Sequence, residues 1–216
     1  MTKAIIFDLW GTIIENGVYP SPTKQVKYFL RTQIQFSEFI TTFEDTFMTK
    51  EYESLQQAFE QVVKDFNLRI PEFVYEKLVG TWNKNAILSK MQEDTEDAFK
   101  ELKEKGYKLF LLANIDKFSY EQVNSKFKLD ELFDKTYKSF ETGLLKMNPK
   151  SYFKILEEND LKPEDVVMVG DCIVSDMQSA ENAGIRGVLI DRRDKREYEN
   201  KIVSLKDLLA LLENMN

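Results

Sequence analysis

Three apolar runs in this chain each end on a polar residue, and helical patterns separate them. AIIF (4–7) leads into Asp8, YKLFLLA (107–113) into Asn114, and VVMVG (166–170) into Asp171. A short apolar run bounded by turn residues is what a strand buried on both faces looks like. Further strands are predicted at 134–138 (DKTYK) and 186–190 (RGVLI). Strands alternating with helices imply a parallel sheet with right-handed crossovers. In such a sheet the carboxyl ends share one edge, where α/β folds place their chemistry. Gly11 permits a sharp exit from the first strand. Taken singly, Asp8 reads equally well as a residue of a surface turn. The convergence of Asp8, Asn114 and Asp171 on one edge argues against that.

Between 22 and 91 the pattern is helical. Phe36, Phe39, Ile40, Phe43 and Phe47 recur in steps of three and four, as do Tyr52, Leu55, Phe59, Val62 and Phe66, then Val74, Leu78 and Trp82. Pro71 suits the first turn of the helix that carries Trp82. No strand is predicted here. The chain therefore divides into an α/β core, 1–14 and 94–216, and an inserted helical subdomain, 15–93. The aromatic stripe reads as that subdomain's own core. Tyr19, Lys50, Tyr52 and Trp82 are candidates to face a site, but nothing in the pattern orients them. Later in the chain, Asp94 is expected to cap a helix running to about Lys105, with Gly106 ending it. Helices are also expected over 118–127, after Pro149, up to Ala183, and after Ser204.

The 216 residues suit one α/β domain with a modest insertion. A formal net charge of −7 argues against sequence-blind nucleic-acid binding, which needs a basic face. Cys172 is the single cysteine and there is no histidine. An internal disulfide, a Cys-based zinc site and Ser-His or Cys-His catalysis are thereby excluded. Carboxylates, lysine and a hard cation must carry any hydrolytic chemistry. The first apolar run is short and is interrupted by Asp8, unlike a signal peptide. No stretch approaches the ~18 apolar residues of a membrane span. The expectation is a cytoplasmic protein that binds neither membrane nor nucleic acid.

VGDCIVSD places Asp171 and Asp176 around a strand-to-helix turn, with both carboxylates able to approach one point. With Asp8 they would make a cluster that repels itself unless a cation or proton neutralises it. Oxygen ligands select a hard ion such as Mg²⁺. Asp176 reads equally as a first-turn residue favoured by a helix dipole. Lys146, in GLLKMNP, could offset the carboxylates and hold a phosphoryl oxygen, or be one solvated lysine among many.

Together these segments resemble the haloacid dehalogenase superfamily of hydrolases. IIFDLWGT resembles its first motif, D-x-D-G-T. LFLLAN resembles the second, a strand ending in Ser or Thr. Lys146 in GLLKMNP resembles the third, and VGDCIVSD the fourth, G-D-x-x-x-x-D. The helical region between motifs one and two resembles the cap of the phosphatase-like branch. The resemblance implies a Rossmann-like parallel sheet with helices on both faces, plus the helical cap. It implies that Asp8 is the nucleophile and forms an aspartyl-phosphate. It implies Mg²⁺ on Asp8, the Trp10 carbonyl and Asp171, with Asp176 a direct or water-mediated ligand. Asn114 and Lys146 would border the phosphate, with Trp10 beside it.

Two positions depart from the family. Trp10 stands where its phosphatases carry a second Asp that protonates the leaving group. Indole N–H only donates and exchanges no proton near neutrality, and losing a general acid–base typically costs ~10²–10⁴ in rate. Ala113 replaces the Ser or Thr of motif two. Three readings follow: a Mg²⁺-dependent phosphatase of a small phosphorylated metabolite with an altered acid step, a 2-haloacid dehalogenase, or a non-catalytic binding protein. Dehalogenases of the family carry an aromatic residue at the Trp10 position, but generally lack the paired acids of motif four. The protein is expected to be a monomer or homodimer.

Overall fold

The computed structural model describes residues 2–215. The first strand, β1 (Ala4–Phe7), is followed by a two-residue strand, β2 (Ile14–Glu15). Four helices come next: α1 (Pro22–Leu30), α2 (Phe36–Met48), α3 (Leu55–Asp65) and α4 (Glu72–Leu88). A short β3 (Lys90–Met91) then leads to α5 (Thr95–Glu104), β4 (Lys108–Ala113), α6 (Lys117–Phe127), α7 (Leu129–Leu132) and β5 (Lys135–Lys138). The remainder is α8 (Ser139–Thr142), α9 (Lys150–Glu158), β6 (Val166–Gly170), α10 (Ser179–Asn182), β7 (Arg186–Ile190), β8 (Lys201–Ile202) and α11 (Leu208–Met215).

Six strands form one sheet in the order β5-β4-β1-β6-β7-β8, and every pairing in it is parallel. The α/β reading of the sequence is correct. β1 lies in the middle with both faces covered: Ile5 and Phe7 enter one apolar core, Ala4 and Ile6 the other. This explains why β1 reads as a continuous apolar run without alternation. The chain leaves β1 for β4 on one side and returns to β6 on the other. That reversal opens a crevice at the carboxyl ends of the three strands.

Helices α1–α4 enclose a separate core. Phe39, Phe43, Phe47 and Phe59 are fully buried in it, so the aromatic stripe is packing and not a ligand surface. Trp82 stands at its edge, with Phe43, Phe47 and Phe59 against the indole at ring-centroid distances of 5.5, 4.9 and 6.0 Å. Its Nε1–H donates to Asp116 Oδ2 across 2.8 Å. Asp116 in turn caps α6, accepting from the backbone N–H of Ser119. One indole thus completes the helical core and ties it to the sheet-bearing part.

Three local features differ from the sequence reading. Residues 90–91 form a strand, antiparallel to β2. Two residues carry no periodicity, so this pairing has no signature in the sequence. Asp94 precedes α5 as expected, but its side chain makes no cap hydrogen bond. Its carboxylate instead receives Arg192 in bidentate fashion, together with Ser204 Oγ and Leu205 N–H. A charge-assisted fork outcompetes a neutral cap. The segment after Asp171 begins as a π-helix over Ile173–Gln178, a form that propensity does not predict.

Trp82→Phe keeps the apolar packing but removes the donor from a buried carboxylate. Hydrogen bonds to charged groups are worth about 1.5–3 kcal/mol. For a chain of this size that corresponds to a fall in Tm of roughly 3–12 °C. Thermal melts of the two proteins check this, and an unchanged Tm would contradict the tie.

Candidate active site

Asp8, Asn114 and Asp171 directly follow β1, β4 and β6, so the strand ends bring them together as the sequence required. Asp8 is buried. Its Oδ2 accepts from the Thr12 hydroxyl at 3.0 Å, and its Oδ1 from the Lys146 ammonium at 2.5 Å. Lys146 also donates to Asp176 Oδ1 at 2.5 Å. The second Asp176 oxygen accepts from the backbone N–H of Cys172 at 2.9 Å. The Lys146 ammonium is therefore a buried bridge between two carboxylates, not a solvated lysine. Asp176 is fully buried and is no ordinary first-turn acid.

Two glycines make the close approach possible. Gly11 adopts φ +87°, and a Cβ there would strike the Asp171 carboxylate. A Cβ on Gly170 would strike the Asp176 carboxylate in the same way. Asp8, Asp171 and Asp176 each offer an oxygen, and these lie within 4.8 Å of one another. Among the described residues, neither the Asp171 carboxylate nor the Trp10 carbonyl oxygen has a hydrogen-bond partner. Three clustered carboxylates and a free carbonyl make an all-oxygen donor set, suited to a hard divalent cation.

The electrostatics follow from burial and crowding. Burial raises the Asp8 carboxyl to about 6, with Lys146 opposing and Asp176 adding to the rise. Burial, then the neighbouring Asp8 and Asp176, raise Asp171 to about 7. Burial works against the charge of Lys146, but the attraction of Asp176 and Asp8 wins and holds its pKa well above the ordinary lysine value. One ammonium against three acids leaves the cluster short of positive charge.

Asn114 links this cluster to the helical part. Its side-chain oxygen accepts from the backbone N–H of Lys146 at 2.8 Å, and its Nδ2 donates to Glu44 Oε2 at 2.8 Å. Ala113 is buried in the sheet core and its side chain offers no polar atom. The indole of Trp10 is half-buried and lines a cavity of about 140 Å³ between α2, α4 and the strand ends, together with Glu44, Trp82, Asn85, Asn114 and Asp116. A wider crevice of about 600 Å³ opens on Gly11 and Asp171 and is edged by Tyr19, Lys24, Arg192, Arg193 and Arg196. Tyr19 is exposed at that edge and Lys50 is exposed to solvent, whereas the Tyr52 hydroxyl is spent on the Thr46 carbonyl.

Sequence reasoning missed Glu44, Asp116 and the Asp191–Arg196 pair. Arg196 donates to the Asp171 carbonyl and is held by Asp191, which braces the turn carrying Asp171. Glu44 did leave a signal. It lies one turn from both Ile40 and Met48, on the border of the apolar stripe of α2, where a solvated acid is out of place.

A fold and a carboxylate–lysine cluster of this kind define a class of hydrolases, and the chain belongs to it: the haloacid dehalogenase-like hydrolase family model matches residues 2–184. Its relatives include proteins named as phosphatases. It is 24% identical over 227 residues to the glyceraldehyde 3-phosphate phosphatase of Pyrococcus furiosus, covering 99% of this chain and 94% of that protein. It is 26% identical over 228 residues to the pyrophosphatase PpaX of Bacillus cereus, covering 99% and 98%. Solved structures share the fold. A HAD phosphatase from Thermococcus onnurineus superposes with TM-score 0.64 at 24% identity over 98% of each chain. The L-2-haloacid dehalogenase of Xanthobacter autotrophicus with chloropropionic acid covalently bound superposes with TM-score 0.69 at 16% identity over all of each chain. No helix of the described residues is long and apolar enough to cross a membrane.

The raised carboxylates fix a sign for stability against pH. Asp8 and Asp171 bind protons in the folded state up to about 6 and 7, while in the unfolded chain they titrate near 3.8. Stability from these groups is full below pH 4 and is lost as pH rises through 6 and 7. Acids with lowered values, such as Glu158 and Asp191 at about 2, act only below pH 5. Between pH 5 and 8 in EDTA, unfolding free energy should therefore fall by about 1–3 kcal/mol, and Asp171→Asn should flatten the slope. Urea titrations read this, and stability rising over that interval would contradict it.

Proposed function

We propose that this protein is a Mg²⁺-dependent phosphatase of a small phosphorylated metabolite, working through an aspartyl-phosphate on Asp8. The single observation that carries the reading is the Lys146 ammonium bridging Asp8 and Asp176 beside the Asp171 carboxylate, which has no hydrogen-bond partner among the described residues. That arrangement combines a nucleophilic carboxylate, a fixed positive charge and a hard-cation site at one point. The phosphatase relatives support it.

In this reading Asp8, the Trp10 carbonyl and Asp171 would hold Mg²⁺, with Asp176 a further ligand, direct or through water. The bound ion offsets charge on the phosphoryl oxygens. Asp8 attacks phosphorus in line with the leaving oxygen, and the gain comes from fixed placement. Lys146 and Asn114 border the phosphoryl group. Residues 15–93 act as the cap that selects substrate over the core formed by 1–14 and 94–216, in a cytoplasmic enzyme.

The small cavity beside Trp10 would take the leaving group. Glu44 and Asp116 line it, and no lysine or arginine does. With no cation on the lining to meet it, a second negative charge on the leaving group has no counter-charge there, so a compact, hydroxyl- or amine-bearing group fits best. The same lack of a cation would leave a departing halide without a counter-charge, which disfavours dehalogenation.

Purified protein should release phosphate from p-nitrophenyl phosphate with Mg²⁺ and lose that activity in EDTA. Asp8→Asn should lower kcat by at least ~10³-fold, the scale of losing a nucleophile. Metal-independent turnover, or full activity in Asp8→Asn, would sink the proposal. Metal binding without turnover on a broad phosphomonoester panel would favour a binding role.

A further inference from the structure

Trp10 leaves the reaction without its proton donor, and the cavity beside it has few candidates to fill the role. Lys146 is held between Asp8 and Asp176, and its proton is too tightly bound. Asp116 has both oxygens engaged, Oδ2 by Trp82 and Oδ1 by Ser119 N–H. Burial raises the carboxyl above its ordinary value, but with both oxygens occupied as acceptors neither is free to present a proton to the cavity. Glu44 differs. Only Oε2 is engaged, by Asn114, and Oε1 has no hydrogen-bond partner among the described residues. It lines the same cavity as the Trp10 indole. Asn114 connects it in two hydrogen bonds to the backbone of Lys146, whose ammonium contacts Asp8.

Resting on the phosphatase reading, we propose that Glu44, delivered by the cap helix α2, is the general acid and base of the reaction in place of a motif-one carboxylate. As Asp8 Oδ bonds to phosphorus and the bond from phosphorus to the leaving oxygen breaks, the Glu44 carboxyl passes its proton to that oxygen. The resulting carboxylate then takes a proton from the water whose oxygen attacks phosphorus. The bond from Asp8 to phosphorus breaks, phosphate leaves, and Glu44 is again protonated. The sum is one phosphomonoester and one water converted to an alcohol and phosphate. Burial raises the Glu44 carboxyl above its ordinary value, with Asn114 and Lys146 opposing and Asp176 and Asp8 adding. A raised carboxyl is the condition for an acid that must hold its proton near neutrality.

The role also places the acid on the cap, so a cap that is not seated over the core has no proton to give. That couples closure to chemistry through one side chain, instead of placing both carboxylates on the loop after β1.

Leaving-group dependence tests this directly. Wild type, Glu44→Gln, Glu44→Asp and Asp8→Asn are compared with Mg²⁺ on p-nitrophenyl phosphate, whose leaving group needs no proton, and on glycerol phosphate, whose leaving group does. Gln keeps an oxygen for Asn114, and a thermal melt confirms that each variant is folded. Glu44→Gln should lose ~10²–10⁴-fold on glycerol phosphate. On p-nitrophenyl phosphate it should give a burst of about one equivalent of p-nitrophenol, then slow release, because the second step lacks its base. Glu44→Asp should recover part of the alkyl activity. Equal losses on both substrates without a burst, or glycerol phosphate turnover within about threefold of wild type, would overturn the role of Glu44. So would a wild type that hydrolyses only the aryl ester. A wild type inactive on both esters removes the phosphatase reading and this inference with it.

Discussion

The ion bridge from Lys146 to Asp8 and Asp176 is the constraint on which the site depends. Each contact is 2.5 Å long and shielded from solvent. Burying three charges is costly, and removing one partner from such a group typically costs 3–5 kcal/mol. Only a rigid frame holds it. β1 and β6 pair in register from Ala4–Val166 to Phe7–Val169, so Asp8 and the turn carrying Asp171 and Asp176 emerge side by side. Lys146 arrives from the loop after α8, held at its backbone by Asn114 from the end of β4. Three neighbouring strands thus set one ammonium among three carboxylates. The remaining deficit of positive charge suits the cluster to a divalent cation.

The helical part is built around a different principle. Its core is aromatic, Phe118 and Leu145 of the sheet-bearing part pack against it, and polar ties add to that contact, among them Trp82 to Asp116, Glu44 to Asn114, and Lys117 to Glu51. The first two ties also bound the small cavity, so whatever enters it meets Glu44 and Trp10 at once. In the proposed enzyme, selection of the leaving group and transfer of its proton would lie in the same few side chains.

What could be read before the structure follows from where information sits in a chain. Asp8, Asn114 and Asp171 were legible because strand ends concentrate polar residues at one edge and buried strands announce themselves as apolar runs. Lys146 became legible only as part of a set of four segments in order. Glu44 is one acid among 37 Asp and Glu residues; its place beside the apolar stripe of α2 marks it only weakly, and its meaning depends on how α2 seats against the end of β4. The same holds for Asp94, whose position predicted a cap but whose carboxylate is claimed by Arg192, 98 residues away in sequence. Long-range polar pairing overrides local preference wherever a charged fork is available. The two-residue strands β2 and β3 lacked the length to carry any pattern.

The most direct test of the account is to catch the phosphoryl group. Wild-type protein mixed with a radiolabelled phosphomonoester and Mg²⁺ would be quenched in acid during turnover, digested and mapped. The account predicts label on the peptide holding Asp8, released by hydroxylamine as an acyl phosphate must be. Turnover with no covalent label, or label on any other residue, would contradict it.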